Sequence, residues 1–238
     1  DGANRERIAK LLRFASSKGE GAEKNVSLDD YVGRMQVGQD VIWYVTAESY
    51  AAANGSPQIE SLKARDVEVL LMFDRIDEWM VGYLSEYAGK KLRNVAKGEL
   101  DLDALDSGEK EKREQVEEAA ADVVEKLKGV LGDRVRDVKV SHRLTESPSC
   151  LVLEEYDMAL HMQRLMREAG HDVPASKSLL EINPSHPLLK RFEAEADGDR
   201  AADLGMLLFE EAQLAEGATL DDPASFIRRL NRIIGATD

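Results

Sequence analysis

The chain has one cysteine, Cys150, in 238 residues, and a lone thiol excludes an intrachain disulfide framework. That fits a reducing cytoplasm, and Cys150 reads as a small buried apolar residue rather than a reactive thiol. No apolar run approaches the roughly 18–20 residues that cross a bilayer, and no signal-peptide pattern opens the chain, so no membrane partner is expected. Aromatic residues make up only 5% within a hydrophobic fraction of 43%, which predicts aliphatic, largely helical cores. Positive charge is in deficit: 32 Lys and Arg against 46 Asp and Glu give a net charge of −14, which argues against a phosphate-backbone binder and makes nucleic acid an unexpected partner. No Gly-rich phosphate cradle or nucleophile motif is present. The four histidines (His142, His161, His171, His186) lack metal-ligand spacing, so no metal is assigned. The chain opens Asp-Gly-Ala-Asn without an initiating Met, which suggests a fragment of a longer protein.

The length suits two domains of about 100–150 residues each. In the first, helices are expected over 5–14, 28–35 (with Ser27 as N-cap), 48–54 and 56–64. Strands are expected over Val41–Thr46, over the continuous apolar run 67–73, and over 90–95 as an edge strand. Strands alternating with helices predict a small α/β/α layer domain over residues 1–108. From 109 a long helix is expected, with Val116, Ala120, Val123, Leu127, Val130 and Leu131 on one face and Gly132 closing it. Strands over 134–141, 149–153 and 177–182 follow, the first needing a bulge or late start because Val135 and Val138 differ in parity. Helices over 155–169, 186–195, 200–216 and 223–234 complete an α+β domain, 109–238, with a helical C-terminus.

The run 66–83, DVEVLLMFDRIDEWMVGY, sets a buried strand against a helix that displays a tryptophan beside two carboxylates. Asp74 at the strand's end is read as the helix cap. A phosphatase-like reading of Asp74 wants a second Asp two residues on, where Ile76 stands. Trp79 at helical spacing is more often half-buried packing than a contact residue. Met158, Met162, Leu165 and Met166 share one face of the 155–169 helix; such a stripe is usually core, although methionine also suits promiscuous recognition. Two further stripes stand near the C-terminus. Leu204, Leu207 and Leu208 form one; Phe226, Ile227, Leu230, Ile233 and Ile234 form the other, behind Asp222 and Pro223 as cap and first helical residue. Either could pack within one chain.

The Asp-Arg-Ile-Asp-Glu-Trp-Met sequence at 74–80 resembles the ninety-kilodalton heat-shock chaperone family in its bacterial, HtpG-type branch. The blocks IAKLLRF (8–14), SLDDYVGRM (27–35), YVTAESYAA (44–52), VRDVKVSHRLT (135–145), INP (182–184) and TLDDPASFIRRLN (219–231) resemble the same family in the same order. The resemblance implies the end of the middle domain plus the C-terminal dimerisation domain of a homodimeric ATP-dependent chaperone, the C-terminal helices pairing as a two-fold four-helix bundle. It implies client contact through Glu78, Trp79, Met158, Met162, Leu165 and Met166, with Gly82 standing where a related sequence has Asn. It implies a dimer interface from Leu204, Leu207, Leu208, Phe226, Ile227, Leu230, Ile233 and Ile234. The fragment is then non-catalytic and without a cofactor, ATP and magnesium belonging to the full-length parent. Expected partners are a second copy, partly folded clients and a seventy-kilodalton heat-shock chaperone system. The chain's end lacks the Met-Glu-Glu-Val-Asp tail that recruits tetratricopeptide co-chaperones. A non-chaperone adaptor or scaffold is the alternative reading.

Overall fold

The computed structural model describes residues 4–100, 110–155, 157–159, 162–163, 166–167, 170–172 and 176–235. The β-branched and aromatic run Val41–Thr46 forms β2 at the centre of a five-stranded sheet. On one side it pairs in parallel with β3 (Leu70–Met72), which is bordered by antiparallel β1 (Ala15–Ser16); on the other it pairs in parallel with β5 (Lys90–Asn94), bordered by antiparallel β4 (Glu86–Tyr87). Side chains alternate between faces. Ile42, Tyr44, Leu70 and Met72 enter one core beneath α1 (Arg5–Ala9) and α2 (Leu28–Gly33). Trp43, Val45, Val69 and Leu71 enter a second core beneath α3 (Tyr50–Asn54) and α4 (Glu60–Ala64). Both faces are thus covered, as the apolar run 67–73 predicts, although only Leu70–Met72 of that run pairs as strand.

Two local expectations sharpen or change. Ser27 caps α2 in a reciprocal box, its Oγ accepting the Asp30 N–H while the Asp30 carboxylate accepts the Ser27 N–H, each at 3.0 Å. The strand beginning at Lys90 is not the sheet edge. Ala88 and Gly89 both have positive φ (49° and 74°), which permits a two-residue hairpin and lets β4 take the edge.

A second sheet has the order β6 (Asp137–Val140), β8 (Leu179–Ile182), β7 (Ser149–Val152), parallel between β6 and β8 and antiparallel between β8 and β7. On one face pack α7 (Ala121–Leu131), α8 (Pro187–Ala194), α9 (Gly198–Ala215) and α10 (Pro223–Gly235), sharing a core that includes Leu127, Leu151, Leu180, Phe192 and Leu204. The other face carries the small cluster Leu144, Cys150, Val152 and Leu179. Cys150 is buried, and burial pushes its thiol up, away from thiolate reactivity. Helices gathered on one side of a mixed sheet give the expected α+β arrangement.

The single long helix expected from residue 109 is instead two, α6 (Lys110–Ala119) and α7. They meet at Ala120, whose φ and ψ of −94° and 2° bend the axis while the bonds from the Ala120 N–H to Val116 O and from the Val124 N–H to Ala120 O persist at 3.0 Å. Val116 is exposed, so the buried stripe begins at Ala120. The parity problem before β6 is solved by a late strand start after the turn Gly132–Arg134. The expected domain boundary at 108 lies outside the described residues.

Helices α7 and α9 approach closely at Gly205. A Cβ there would stand 2.7 Å from Val130 Cγ1 and 3.0 Å from Leu127 Cδ1, closer than side chains pack. Gly205→Val is therefore expected to lower unfolding free energy by about 1–3 kcal/mol through overpacking, measured by urea denaturation; an unchanged midpoint would show that the two helices can separate without cost.

Candidate functional site

Helix α5 (Asp77–Tyr83) has Ile76 at its N-cap and no side-chain cap, so the expected cap by Asp74 does not form; instead the Asp77 Oδ2 accepts the N–H of Asp74, in the turn before the helix, at 2.9 Å. Asp77 is buried, and burial raises its carboxyl above the ordinary range. Asp74 is left to ion-pair with Lys24, whose ammonium also sits 4.4 Å from the Phe73 ring centroid. The acidic cluster therefore organises a helix start and a surface ion pair, which gives the phosphatase-like reading no geometric support.

On the outer face of α5, Trp79 is 58% exposed, and Ile76 and Tyr83, three residues before and four after, are more exposed still. Spacing of three and four residues places them along one helical face. Glu78, predicted to act beside Trp79, has a different setting. It is half-buried and within electrostatic reach of Tyr44 and Lys97. Burial pulls the Lys97 ammonium below its usual range, Glu78 and Asp157 opposing that shift, and Lys97 Nζ donates to Asp157 O at 2.5 Å. Lys97 thus ties the inner side of α5 to the backbone just before Met158.

The methionine stripe divides. Met158 precedes the helical turns and is exposed, Met162 is only 9% exposed, and Met166 is half-buried. Leu165 lies outside the described residues. Met162 is therefore a packing residue in the monomer, as the core reading of the stripe allows. Beside it the buried Gln163 amide donates to Met158 O at 2.7 Å and to Ser176 Oγ at 3.1 Å, which fixes the backbone around the exposed methionine.

The C-terminal stripes divide as well. Leu204, Leu207, Leu208 and Ile233 are buried in the intrachain core, so they are not available to a partner as they stand. Phe226 and Leu230 are half-buried, while Ile227 and Ile234 are 51% and 62% exposed. Helix α10 is held on α9 by Arg229, whose guanidinium binds the buried Glu210, and by Arg232 to Asp203 at 2.5 Å. Ile227 and Ile234 thus lie on its exposed side, and Leu214 at the end of α9 is exposed as well.

Between the two sheets lies a polar junction that sequence reasoning missed. Arg143, 1% exposed, donates through Nε and Nη2 to both Glu181 oxygens at 2.9 and 3.0 Å, and through Nη2 and Nη1 to the carbonyls of Gly98 (2.8 Å) and Val95. Glu60 accepts the N–H groups of Thr145, Glu146 and Ser147 at 2.7–3.1 Å. Burial works to raise its carboxyl, but bonds from Ser147, Glu146 and Thr145 hold it below the ordinary value. Gln58 Nε2 donates to Leu151 O at 2.7 Å and to Glu216 Oε1 at 2.6 Å. Glu216 borders a cavity of about 100 Å³ with Thr46, Glu48, Asn94 and Lys97. The signal for this junction, a lone Arg in the bend after β6 and a Glu within β8, has no local periodicity to reveal it.

The sequence profile described as Hsp90 protein matches residues 1–237. The chain belongs to the Hsp90 family. It is 54% identical over 235 residues to a chaperone protein HtpG of Chromobacterium violaceum, covering 98% of this chain and 37% of that protein. Those of Methylococcus capsulatus and Nitrosospira multiformis are 52% and 51% identical, covering 98% and 100% of this chain and 37% of each relative. The chain thus spans a little over a third of the length of these Hsp90-family relatives. Among the described residues no helix is long and apolar enough to cross a membrane.

In this Hsp90-family chain the junction should titrate. Burial raises the Glu216 carboxyl from 4.5 to about 7, with the Gln58 hydrogen bond and the Arg143 charge opposing the rise. The folded state then holds this proton more tightly than the unfolded chain, so the group's stabilising contribution is full below about pH 4.5 and is lost as pH rises toward 7. Glu216→Gln should flatten that descent: the difference in unfolding free energy between variant and parent is expected to shift in the variant's favour between pH 5 and 8. Parallel stability–pH curves would show that Glu216 is not protonated in the fold.

Proposed function

We propose that this chain is the client-presenting and self-pairing part of an Hsp90-type chaperone, formed by the end of the middle domain and the C-terminal dimerisation domain, with their boundary near residue 108. The observation that carries this reading is where the exposed apolar side chains gather. One group is Trp79 and Tyr83 on α5 with Ile76 just before it; another is Ile227 and Ile234 on the exposed side of α10. Contiguous exposed apolar surface marks interaction sites rather than chance. The relatives at about half identity carry the name chaperone, which supports protein folding as the process served.

In this reading α9 and α10 from two copies form a four-helix bundle through Ile227, Ile234, Leu230 and Phe226, while Leu204, Leu207, Leu208 and Ile233 hold each copy's own pair together. Trp79 and Met158, whose neighbourhoods are bridged by Lys97, face partly folded clients, and Glu78 supports the α5 surface from its inner side. The chain itself performs no catalysis; ATP and magnesium act elsewhere in the parent. A seventy-kilodalton heat-shock chaperone system is the expected collaborator, and the cytoplasm the expected compartment.

Light-scattering mass on a sizing column is expected to give twice the chain's 26.4 kDa, and Ile227→Asp/Ile234→Asp is expected to give monomer with unchanged circular dichroism, since both side chains are exposed. A wild-type monomer at every concentration would end the bundle model. For client contact, Trp79→Ala should weaken suppression of an aggregating test protein several-fold without loss of the dimer; undiminished suppression would remove Trp79 from the contact surface.

A further inference from the structure

Helix α1 and the C-terminal end of α5 leave between them a groove of about 290 Å³, lined by Ile8, Ala9, Leu12, Met80, Tyr83 and Leu84, with Arg5 at its rim. This volume stands at the lower limit of small-molecule pockets, which suits a few apolar side chains of a polypeptide better than a compact ligand. The groove is continuous with the exposed face of α5, because Tyr83 both lines it and ends the Ile76–Trp79–Tyr83 stripe. Across from Tyr83, Ile8 and the neighbouring Leu11 are also exposed.

Charge on this surface runs against the net charge of the chain. Residues 5–13 carry Arg5, Arg7, Lys10 and Arg13 against the single anion Glu6, in a chain whose net charge is −14. Arg5 donates to Ser85 Oγ at 3.3 Å, so its guanidinium spans from α1 to the segment after α5. Glu6 lies within electrostatic reach of Tyr87. An apolar groove with Arg5 at its rim and further cations on the same segment selects among apolar segments by the charges that flank them, attracting anions and repelling cations.

We propose that this groove is the specificity-bearing part of the client surface and that it takes polypeptide segments in which bulky apolar residues are flanked by Asp and Glu. The proposal rests on the reading that the Trp79 face contacts clients. Trp79 supplies unselective apolar contact; the groove anchors a side chain and the α1 cations choose its context.

The test uses fluorescence anisotropy with two labelled peptides of equal length and identical leucine positions, one flanked by Asp and Glu and the other by Lys and Arg. The acidic peptide is expected to bind about tenfold more tightly at moderate salt. Arg5→Glu/Arg7→Glu should abolish or invert that preference, and Ile8→Ser/Tyr83→Ser should weaken both peptides alike. Equal binding of the two peptides, or a preference indifferent to the charge reversal, overturns the proposal. If Trp79→Ala reduces aggregation suppression while the groove variants bind both peptides like the parent, the groove inference fails and the client reading stands. If neither Trp79 nor groove substitutions change suppression or binding, the client reading itself fails. Repeating the titration on the full-length parent identifies a competing occupant: loss of peptide binding there would assign the groove to another part of the parent. Competition by excess unlabelled chain would assign it to a second copy. Either result overturns the proposal.

Discussion

The buried Arg143–Glu181 pair is the interaction on which the arrangement of the chain depends. A guanidinium removed from water is costly unless every donor is satisfied, and a pair broken on one side typically loses about 3–5 kcal/mol. Here two donors meet one carboxylate in the planar fork that arginine favours, and two more are taken by the carbonyls of Val95 and Gly98. Glu181 belongs to the second sheet, while Val95 and Gly98 follow the last strand of the first. The bonds from the guanidinium to Val95 and Gly98 therefore form only when the segment after the first sheet lies against the second. Glu60, accepting three consecutive N–H groups from 145–147, and Gln58, bridging Leu151 and Glu216, add polar contacts that are equally specific in geometry.

This junction has consequences for the surfaces around it. Lys97, next to the Gly98 carbonyl, reaches Asp157 O and the field of Glu78, so the helix bearing Trp79 and the segment bearing Met158 are positioned by one ammonium. Glu216, at the end of α9, carries the junction to the helix pair proposed to hold two copies together.

The apolar helices share a division of labour. A helix packed on a sheet can bury only one side, and α9 and α10 keep Leu204, Leu208 and Ile233 for the chain's own core while leaving Ile227 and Ile234 outward. Helix α5 behaves likewise, with Met80 and Val81 packed against the first core and Trp79 and Tyr83 outside. Bridges such as Arg229–Glu210 fix the buried side, and the outer residues stay exposed to solvent.

The sequence by itself determined the elements whose signal is local. The β-branched run Val41–Thr46, the Ser27 cap, the buried Cys150, the layered first part and the one-sided α+β second part were legible because period, capping chemistry and composition act over a few residues. Family blocks spread along the chain were legible too. Tertiary structure alone left α5 without a carboxylate cap, because Lys24, 50 residues before Asp74, takes the carboxylate that the local pattern assigns to the cap. It alone placed Met162 inside and Met158 outside, and Leu204 inside and Ile227 outside, because a helical period defines a stripe without naming what covers it. It alone joined Arg143 to Glu181, since two isolated charges 38 residues apart become partners only when long-range packing removes them from water together.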